Sequence, residues 1–367
     1  MKIVCSKDNL VNGVQIVQRA VSSKNTLPIL SGILIKTEGD TLKLTATDLE
    51  IGIECRIPVT VIEEGSVVLP ARYLGDIVRR LPDTKIEIIT NQENFSTAIK
   101  YGKSEFTIHG LAAEDFPLLP DIQGQQSFSI KADLFINMIK QVVFATSVNS
   151  NRPIFTGALL TVENDDLIMV ATDTHRVAFC RSLTNGVNSQ LNVIIPGKSL
   201  NEISRIMNND DDEIKMTITD NQILFEGEGI CLISRLIEGQ FPNYQQVLPQ
   251  GYKSKVKINT RELIEAAERA ALLARDGSSV IKLEIKADKL MISSNTPDIG
   301  RAYEEINVNL VGEDIQIAFN SKYLLDALKV IDTEEIYLEL NGPLSPGVLK
   351  PVNNDNYIYL ILPIRTV

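Results

Sequence analysis

The 367-residue chain carries 36 Lys and Arg against 47 Asp and Glu, a formal net charge of −11, with 44% hydrophobic residues and no tryptophan. That apolar content suffices for a folded core, and no apolar run reaches the ~20 residues that a bilayer helix needs. The acidity argues against a sequence-specific nucleic-acid reader, whose footprint is basic, but not against a protein whose positive charge is gathered on one surface. The N-terminus lacks a signal-peptide pattern, so a cytoplasmic location is expected. Cys5, Cys55, Cys180 and Cys231 are far apart and match no zinc spacing, so they read as buried thiols in a reducing compartment.

In chain order, the first pattern is helical. Leu10, Val14, Val17 and Val21 recur at three-to-four spacing and predict a helix over 7–20. Alternating, β-branched stretches follow at 33–36, 41–45 and 51–59, with Pro58 near the end of the last. A second helix is predicted over 71–81 and a strand over 85–90. The series then restarts. Leu134, Met138, Ile139 and Val142 predict a helix after Lys131, with a second helix over 197–207 and a strand over 213–219. A third round opens at Thr260, a candidate N-cap ahead of Leu263, Ile264, Ala267 and Ala271. It continues through a helix over 321–331 and a strand over 335–340. The terminal apolar run reads as a buried last strand with Leu360 and Leu362 on one face. Pro363 ends it by removing a ladder donor, which leaves 364–367 free to border a groove.

The restart is a true internal repeat. Pro28 recurs as Pro153 and Asp48 as Asp173, both 125 residues later, and Phe116-Pro117 recurs as Phe241-Pro242. Arg72-Tyr73-Leu74 recurs as Lys198-Ser199-Leu200 and as Lys322-Tyr323-Leu324. Three units of this length fill the chain, so the expected domains are 1–121, 122–250 and 251–367. Each has two helices and many strands joined by short turns. That pattern predicts an α+β unit, its helices on one face of largely antiparallel sheet, repeated three times.

Positive charge concentrates in the helix windows of this acidic chain. If the helices share a face, that face is basic and can meet a polymer that is itself a repeat. Ordinary helix propensity for Lys and Arg is the competing explanation. No phosphate-loop, dinucleotide or zinc-protease motif is present. The acidic run Asp210-Asp211-Asp212-Glu213 reads as a solvated turn. His175 between Asp173 and Arg176 could serve as a base, but no nucleophile motif accompanies it, and its counterpart Asp48-Leu49-Glu50 has no histidine.

With these residues in view, the chain resembles the bacterial DNA polymerase III β-subunit family, the sliding clamps, from end to end. The resemblance is carried by Leu27-Pro28-Ile29-Leu30, Thr45-Ala46-Thr47-Asp48-Leu49-Glu50, Ala171-Thr172-Asp173-Thr174-His175-Arg176, Arg235-Leu236-Ile237-Glu238-Gly239-Gln240-Phe241-Pro242-Asn243-Tyr244 and Leu362-Pro363-Ile364-Arg365. It implies a DNA-clamp fold and a ring-shaped head-to-tail homodimer around duplex DNA, held without regard to sequence. It implies no catalytic residue, cofactor or metal. The implied partners are the replicative DNA polymerase catalytic subunit, the clamp loader, and repair and translesion polymerases, all through a short peptide motif.

Residue by residue, the resemblance implies DNA contacts from Lys24, Arg72, Lys198 and Arg205. It implies a partner-peptide pocket of Arg152, Phe155, Thr172, Thr174, His175, Arg176, Val177, Pro242, Val247, Leu360, Leu362, Pro363, Ile364 and Arg365. It implies a dimer interface in which Phe106 and Ile108 meet Leu272 and Leu273, and Lys100 and Lys103 lie near Glu304 and Glu305. Thr174 stands where the family often has Gly or Ser, and Pro153-Ile154 where some members have paired tyrosines. Two alternatives stay open at this point: a non-encircling DNA-binding module that uses the same basic helices, and an enzyme that uses His175 and Asp173.

Overall fold

The structure, a computed structural model, describes residues 1–21, 27–120, 122, 126–163, 166–183, 191–207, 213–249, 251–274, 279–297 and 299–365. Lys24, most of the acidic run 210–213, and residues 366–367 lie outside the described residues. Six α-helices are described: α1 Lys7–Val17, α2 Ala71–Arg80, α3 Ala132–Val142, α4 Gly197–Ile206, α5 Thr260–Leu272 and α6 Ser321–Leu328. They fall where the apolar spacing predicts them, two per repeat.

Helix starts follow local chemistry. The Ser6 hydroxyl accepts from the Asn9 N–H and caps α1. The Asn320 side chain does the same for α6 with the N–H groups of Lys322 and Tyr323. At α5 the cap is Asn259, not the expected Thr260. Thr260 is already helical, buried, and donates its hydroxyl to the Thr333 carbonyl at 2.7 Å. The one-residue error arises because both neighbours are competent caps, and only tertiary packing draws the threonine inward. The first helix also ends sooner than its periodicity implied, at Val17, and continues as a 3₁₀ turn over Gln18–Ala20.

The described strands form four sheets, every pair in them antiparallel. The chain divides into two compact units, Met1–Asp133 with Glu202–Leu236, and Leu134–Asn201 with Ile237–Val367. The first unit holds a five-stranded sheet that ends in Ser104–His109, and an eight-stranded sheet. The second holds a nine-stranded sheet and a four-stranded sheet whose edge is Gly300–Asn307.

These units do not coincide with the three repeats, and the reason lies in the hydrogen bonds. In the eight-stranded sheet, Ile51–Pro58 of the first repeat pairs with Ile230–Arg235 of the second, Ile53 opposite Leu232. In the nine-stranded sheet, Arg176–Leu183 of the second repeat pairs with Tyr357–Ile361 of the third, Ala178 opposite Tyr359. Both junctions join equivalent strands. Each sheet thus carries two repeats, and contact density follows the sheet.

The core forms where helix stripes meet the inward residues of the strands. Leu10, Val14 and Val17 of α1, Leu74 and Val78 of α2, and Ile53 and Leu44 of the strands are fully buried. Close approach is enforced at Gly13, where a Cβ would lie 2.7 Å from Leu44 Cδ1 and 2.9 Å from Ile57 Cγ2. Cys5, Cys55 and Cys180 are buried as expected, and Cys231 is half-buried. Burial pushes the Cys5 and Cys55 thiols up to about 11, and burial with Glu54 and Glu226 nearby pushes Cys231 up to about 12. Since the thiolate is the nucleophile, the folded chain should resist iodoacetamide at pH 8. All four thiols should label once the chain is unfolded, as intact mass will report.

Candidate partner groove and basic helix face

The site grows from one turn that occurs twice. In the first unit, the Thr47 hydroxyl donates to the Ile51 carbonyl and accepts from the Leu49 N–H, while Asp48 Oδ1 accepts from the N–H groups of Glu50 and Ile51. In the second unit, Thr172, Thr174, Asp173, His175 and Arg176 make the same four bonds. The third residue of each turn is left-handed, Leu49 at φ 75° and Thr174 at φ 77°. That conformation costs a β-branched residue most. The four hydrogen bonds of the turn are repeated, and of the Gly or Ser expected at the Thr174 position, glycine has a backbone reason.

What differs is the residue after the turn. Ile51 is an ordinary core side chain, whereas Arg176 is a charged one that is 6% exposed. Its Nε donates to Asp173 Oδ2 at 2.9 Å, Nη1 to Asp326 Oδ2 at 2.8 Å and Nη2 to the Phe144 carbonyl at 2.7 Å. The guanidinium lies 4.2 Å from the Tyr323 ring centroid and 5.4 Å from that of Phe144. Burial works against its charge, but the Tyr359, Asp326 and Asp173 oxygens outweigh that and hold its pKa above the usual value. A buried charge of this kind needs such partners. Arg176 thus builds the wall of the site rather than presenting a free cation.

A cavity of about 560 Å³ opens beside this network. Arg152, Phe155, Thr174, His175 and Arg176 line it, as the resemblance implied. So do Asn149, Asn151, Lys322 and Tyr323, which sequence reasoning missed. The His175 ring stacks on Tyr323 with centroids 6.3 Å apart. Tyr323 and Asp326 belong to α6, far away in sequence, and no local pattern links them to His175. The recurrence of Arg72-Tyr73-Leu74 as Lys322-Tyr323-Leu324 was the available signal.

The other implied pocket residues lie on a second, apolar cluster. Val177 and Leu360 are directly paired across the sheet and join Leu159, Val170, Phe179 and Tyr244, with Ile237, Phe241 and Leu248 packed against them. Pro242 is exposed, and Val247 and Leu362 are exposed apolar residues at 49% and 39%. Thr172 is buried in the turn. Leu362 is tied to the histidine turn by its N–H, which donates to the His175 carbonyl at 2.9 Å. The final strand ends at Ile361, so Leu362 is not its last residue as expected. Nor is the tail free: Ile364 N–H donates to the Ala318 carbonyl at 2.8 Å. Pro363 and Ile364 are half-buried and Arg365 is exposed. The backbone carries the chain past the ladder, and an edge carbonyl captures it.

His175 and Asp173 make no catalytic dyad here. The Asp173 carboxylate is taken by two backbone N–H groups and the Arg176 guanidinium. Among the described residues it makes no hydrogen bond to the imidazole, such as a base–orienter pair requires.

The helix-borne charges are exposed as expected. Arg72, Arg79 and Arg80 project from α2, and Lys198 and Arg205 from α4. Some are locally balanced. Asp76 holds Arg79 at 2.6 Å and Arg80 at 3.6 Å. Glu202 holds Arg205 at 3.2 Å and Arg19 at 3.0 Å.

At the implied assembly edges, Phe106 is 42% exposed and stacked on Tyr101, and Leu272 is 58% exposed. Ile108 and Leu273 are half-buried. Glu304 is bound by Arg269 through two bonds at 3.0 and 2.7 Å, Glu305 by Lys289 at 2.5 Å, and Lys100 lies 3.9 Å from Glu105. Lys103 is exposed at the hairpin tip.

Three family models match the chain: the N-terminal domain of the DNA polymerase III beta subunit over residues 1–120, its central domain over 129–243 and its C-terminal domain over 245–365. The chain is 40% identical to the beta sliding clamp of Bacillus subtilis and 39% identical to that of Staphylococcus aureus, with all of each chain covered. Among solved structures, it matches the DNA polymerase sliding clamp of Bacillus subtilis with a TM-score of 0.95 at 40% identity. It matches the beta subunit from DNA polymerase of Streptococcus pyogenes with a TM-score of 0.94 at 30% identity. Both matches cover the whole of each chain. The threefold α+β repeat, the paired turns and these end-to-end likenesses place the chain in the DNA polymerase III β-subunit family of sliding clamps.

Proposed function

We propose that two copies of this chain close head to tail into a ring around duplex DNA and tether the replicative polymerase and other partners to it. The ring has no catalytic site of its own, and it acts in the cytoplasm. No described helix is long and apolar enough to cross a membrane.

One observation carries the ring. Each inter-repeat junction joins the fourth strand of one repeat to the last strand of the next. Ile51–Pro58 with Ile230–Arg235, and Arg176–Leu183 with Tyr357–Ile361, use up two of the three possible junctions. The remaining strands of these types are Gly300–Asn307 and Ser104–His109, and both are sheet edges. A bare edge invites pairing with another chain, and a head-to-tail contact closes when the rotation per subunit allows it.

The hairpins set the register. Tyr101 opposite Ser104 matches Gly227 opposite Ile230, and Glu38 opposite Thr41 matches Lys286 opposite Lys289. Transferring the Leu232–Ile53 pairing then puts Phe106 opposite Ala302 of the second copy.

The groove beside His175 takes a short peptide with an apolar, Leu-Phe-type end. Apolar walls and a few fixed polar groups are what such recognition needs, and an affinity near ~1 μM corresponds to about −8 kcal/mol. Leu362→Asp should weaken a labelled peptide ending in Leu-Phe by at least about tenfold in fluorescence anisotropy, with the oligomeric state unchanged. Undiminished binding would place the peptide elsewhere.

A further inference from the structure

In the second unit, the four-stranded sheet has two faces of different chemistry. One face meets α5: Leu290 and Ile292 are fully buried, the Ser294 hydroxyl donates to the Ala270 carbonyl, and Glu304 is bound by Arg269. Side chains alternate along a strand, so Lys282, Ser293, Asn295, Arg301 and Tyr303 turn the other way. The register lines them up, Lys282 opposite Ser293, Ser293 opposite Tyr303, and Asn295 opposite Arg301. They line an open cleft of about 1170 Å³, whose remaining lining is Val280, Ser294, Ala302, Ile364 and Arg365.

We propose that this cleft binds an extended acidic peptide segment of a partner, continuous with the motif seated in the groove beside His175. The identity of that partner rests on the groove reading; the acid-binding chemistry does not. Lys282, Arg301 and Arg365 converge on the cleft, and among the described residues no carboxylate lines it. Glu284, two residues from Lys282, is bound to Lys286 at 2.5 Å, and Glu305, two residues from Tyr303, is bound to Lys289.

The repeat gives a second argument. In the central repeat, the equivalent face is covered by the chain's own segment, with Ile237, Phe241, Tyr244 and Leu248 on Leu159, Val170 and Phe179. In the first repeat Leu119 lies on Gly52, 2.5 Å from where a Cβ would stand. On the third repeat, Ile364 and Arg365 are what the described chain lays against the cleft, with Pro343 and Leu344 beside them near Lys282, and the strand residues beneath are mostly polar: Lys282, Ser293, Asn295, Arg301 and Tyr303, with Val280 and Ala302 among them. A strap from outside therefore fits, and the polar floor selects an acidic strap over an apolar one. A peptide also fits better than nucleic acid, because the cleft lies on the sheet face turned away from α5. It adjoins Leu362 through the tail, so a chain leaving the groove reaches it within a few residues at about 3.3 Å each.

The test uses the full chain and a labelled, capped ten-residue peptide of Glu, Asp and Tyr with no apolar motif, followed by fluorescence anisotropy at low salt. Saturable binding that weakens with salt is expected. Lys282→Glu with Arg365→Glu should reduce it at least about tenfold, and the milder Lys282→Gln with Arg365→Gln about threefold. Arg301 is left intact because it lies on the edge strand assigned to self-assembly. The Leu362→Asp variant should bind this acidic peptide normally, which separates failure of the groove from failure of the cleft. Absence of saturable binding, equal binding by the charge-reversed variant, or equal competition by a ten-nucleotide oligothymidylate would each overturn the proposal.

Discussion

Leu272→Ala combined with Leu273→Ala is expected to convert the dimer into monomers at micromolar concentration. Leu272 is 58% exposed in the single chain and Phe106 is 42% exposed, so both side chains have apolar surface to bury at the proposed interface. Truncating two apolar anchors at such a contact costs about 3 kcal/mol in all, which is roughly a hundredfold in the dissociation constant. The charged rim should matter far less. Glu304 and Glu305 already have Arg269 and Lys289 as partners, so Lys100→Ala or Lys103→Ala should shift the constant by less than about threefold. Sedimentation equilibrium reads both effects. The register adds a sharper test. Glu105→Cys with Tyr303→Cys should form an oxidised cross-link between copies, since directly opposed residues of an antiparallel pair lie at disulfide distance. Thr107→Cys with Tyr303→Cys should not. A dimer that survives the leucine double variant would rule out this interface.

Encirclement predicts that retention depends on DNA topology more than on any contact. Loaded on a closed circle at about 0.15 M salt, the protein should stay at least about a hundredfold longer than on the same DNA linearised, because free ends let a ring slide off. The phosphate contacts themselves should be weak and interchangeable. Arg72→Ala and Lys198→Ala should each lower the salt slope of direct binding by about one unit, without regard to sequence. Arg205→Ala should do less, because Glu202 already shares its charge with Arg205 and Arg19. Equal lifetimes on circle and line would favour instead a basic patch that does not encircle.

Much of this was legible in the chain. Patterns of period 3.6 and 2 reflect which side chains must leave water, and that constraint acts locally. Hence the six helices, several of the strands and the threefold repeat could be read directly. The matched landmarks Asp48 and Asp173 even announced the twin turns, because a side chain that bonds its own backbone needs nothing beyond its neighbours. The likeness to sliding clamps then supplied the groove residues His175, Arg176 and Leu362, whose positions the structure brings to one turn.

Tertiary structure alone decided the rest. Whether Asn259 or Thr260 caps α5 depended on which one the fold buries. Arg176 became a wall because Asp326, Tyr323 and Phe144 converge on it from distant segments, and pattern along the chain is blind to such convergence. The tail reached Ala318 because a sheet edge offered an unpaired carbonyl. The division into two contact units arose the same way, as strands of successive repeats were hydrogen-bonded into common sheets. Local patterning determines which groups seek burial or a partner, and only the folded chain determines which partner each one finds.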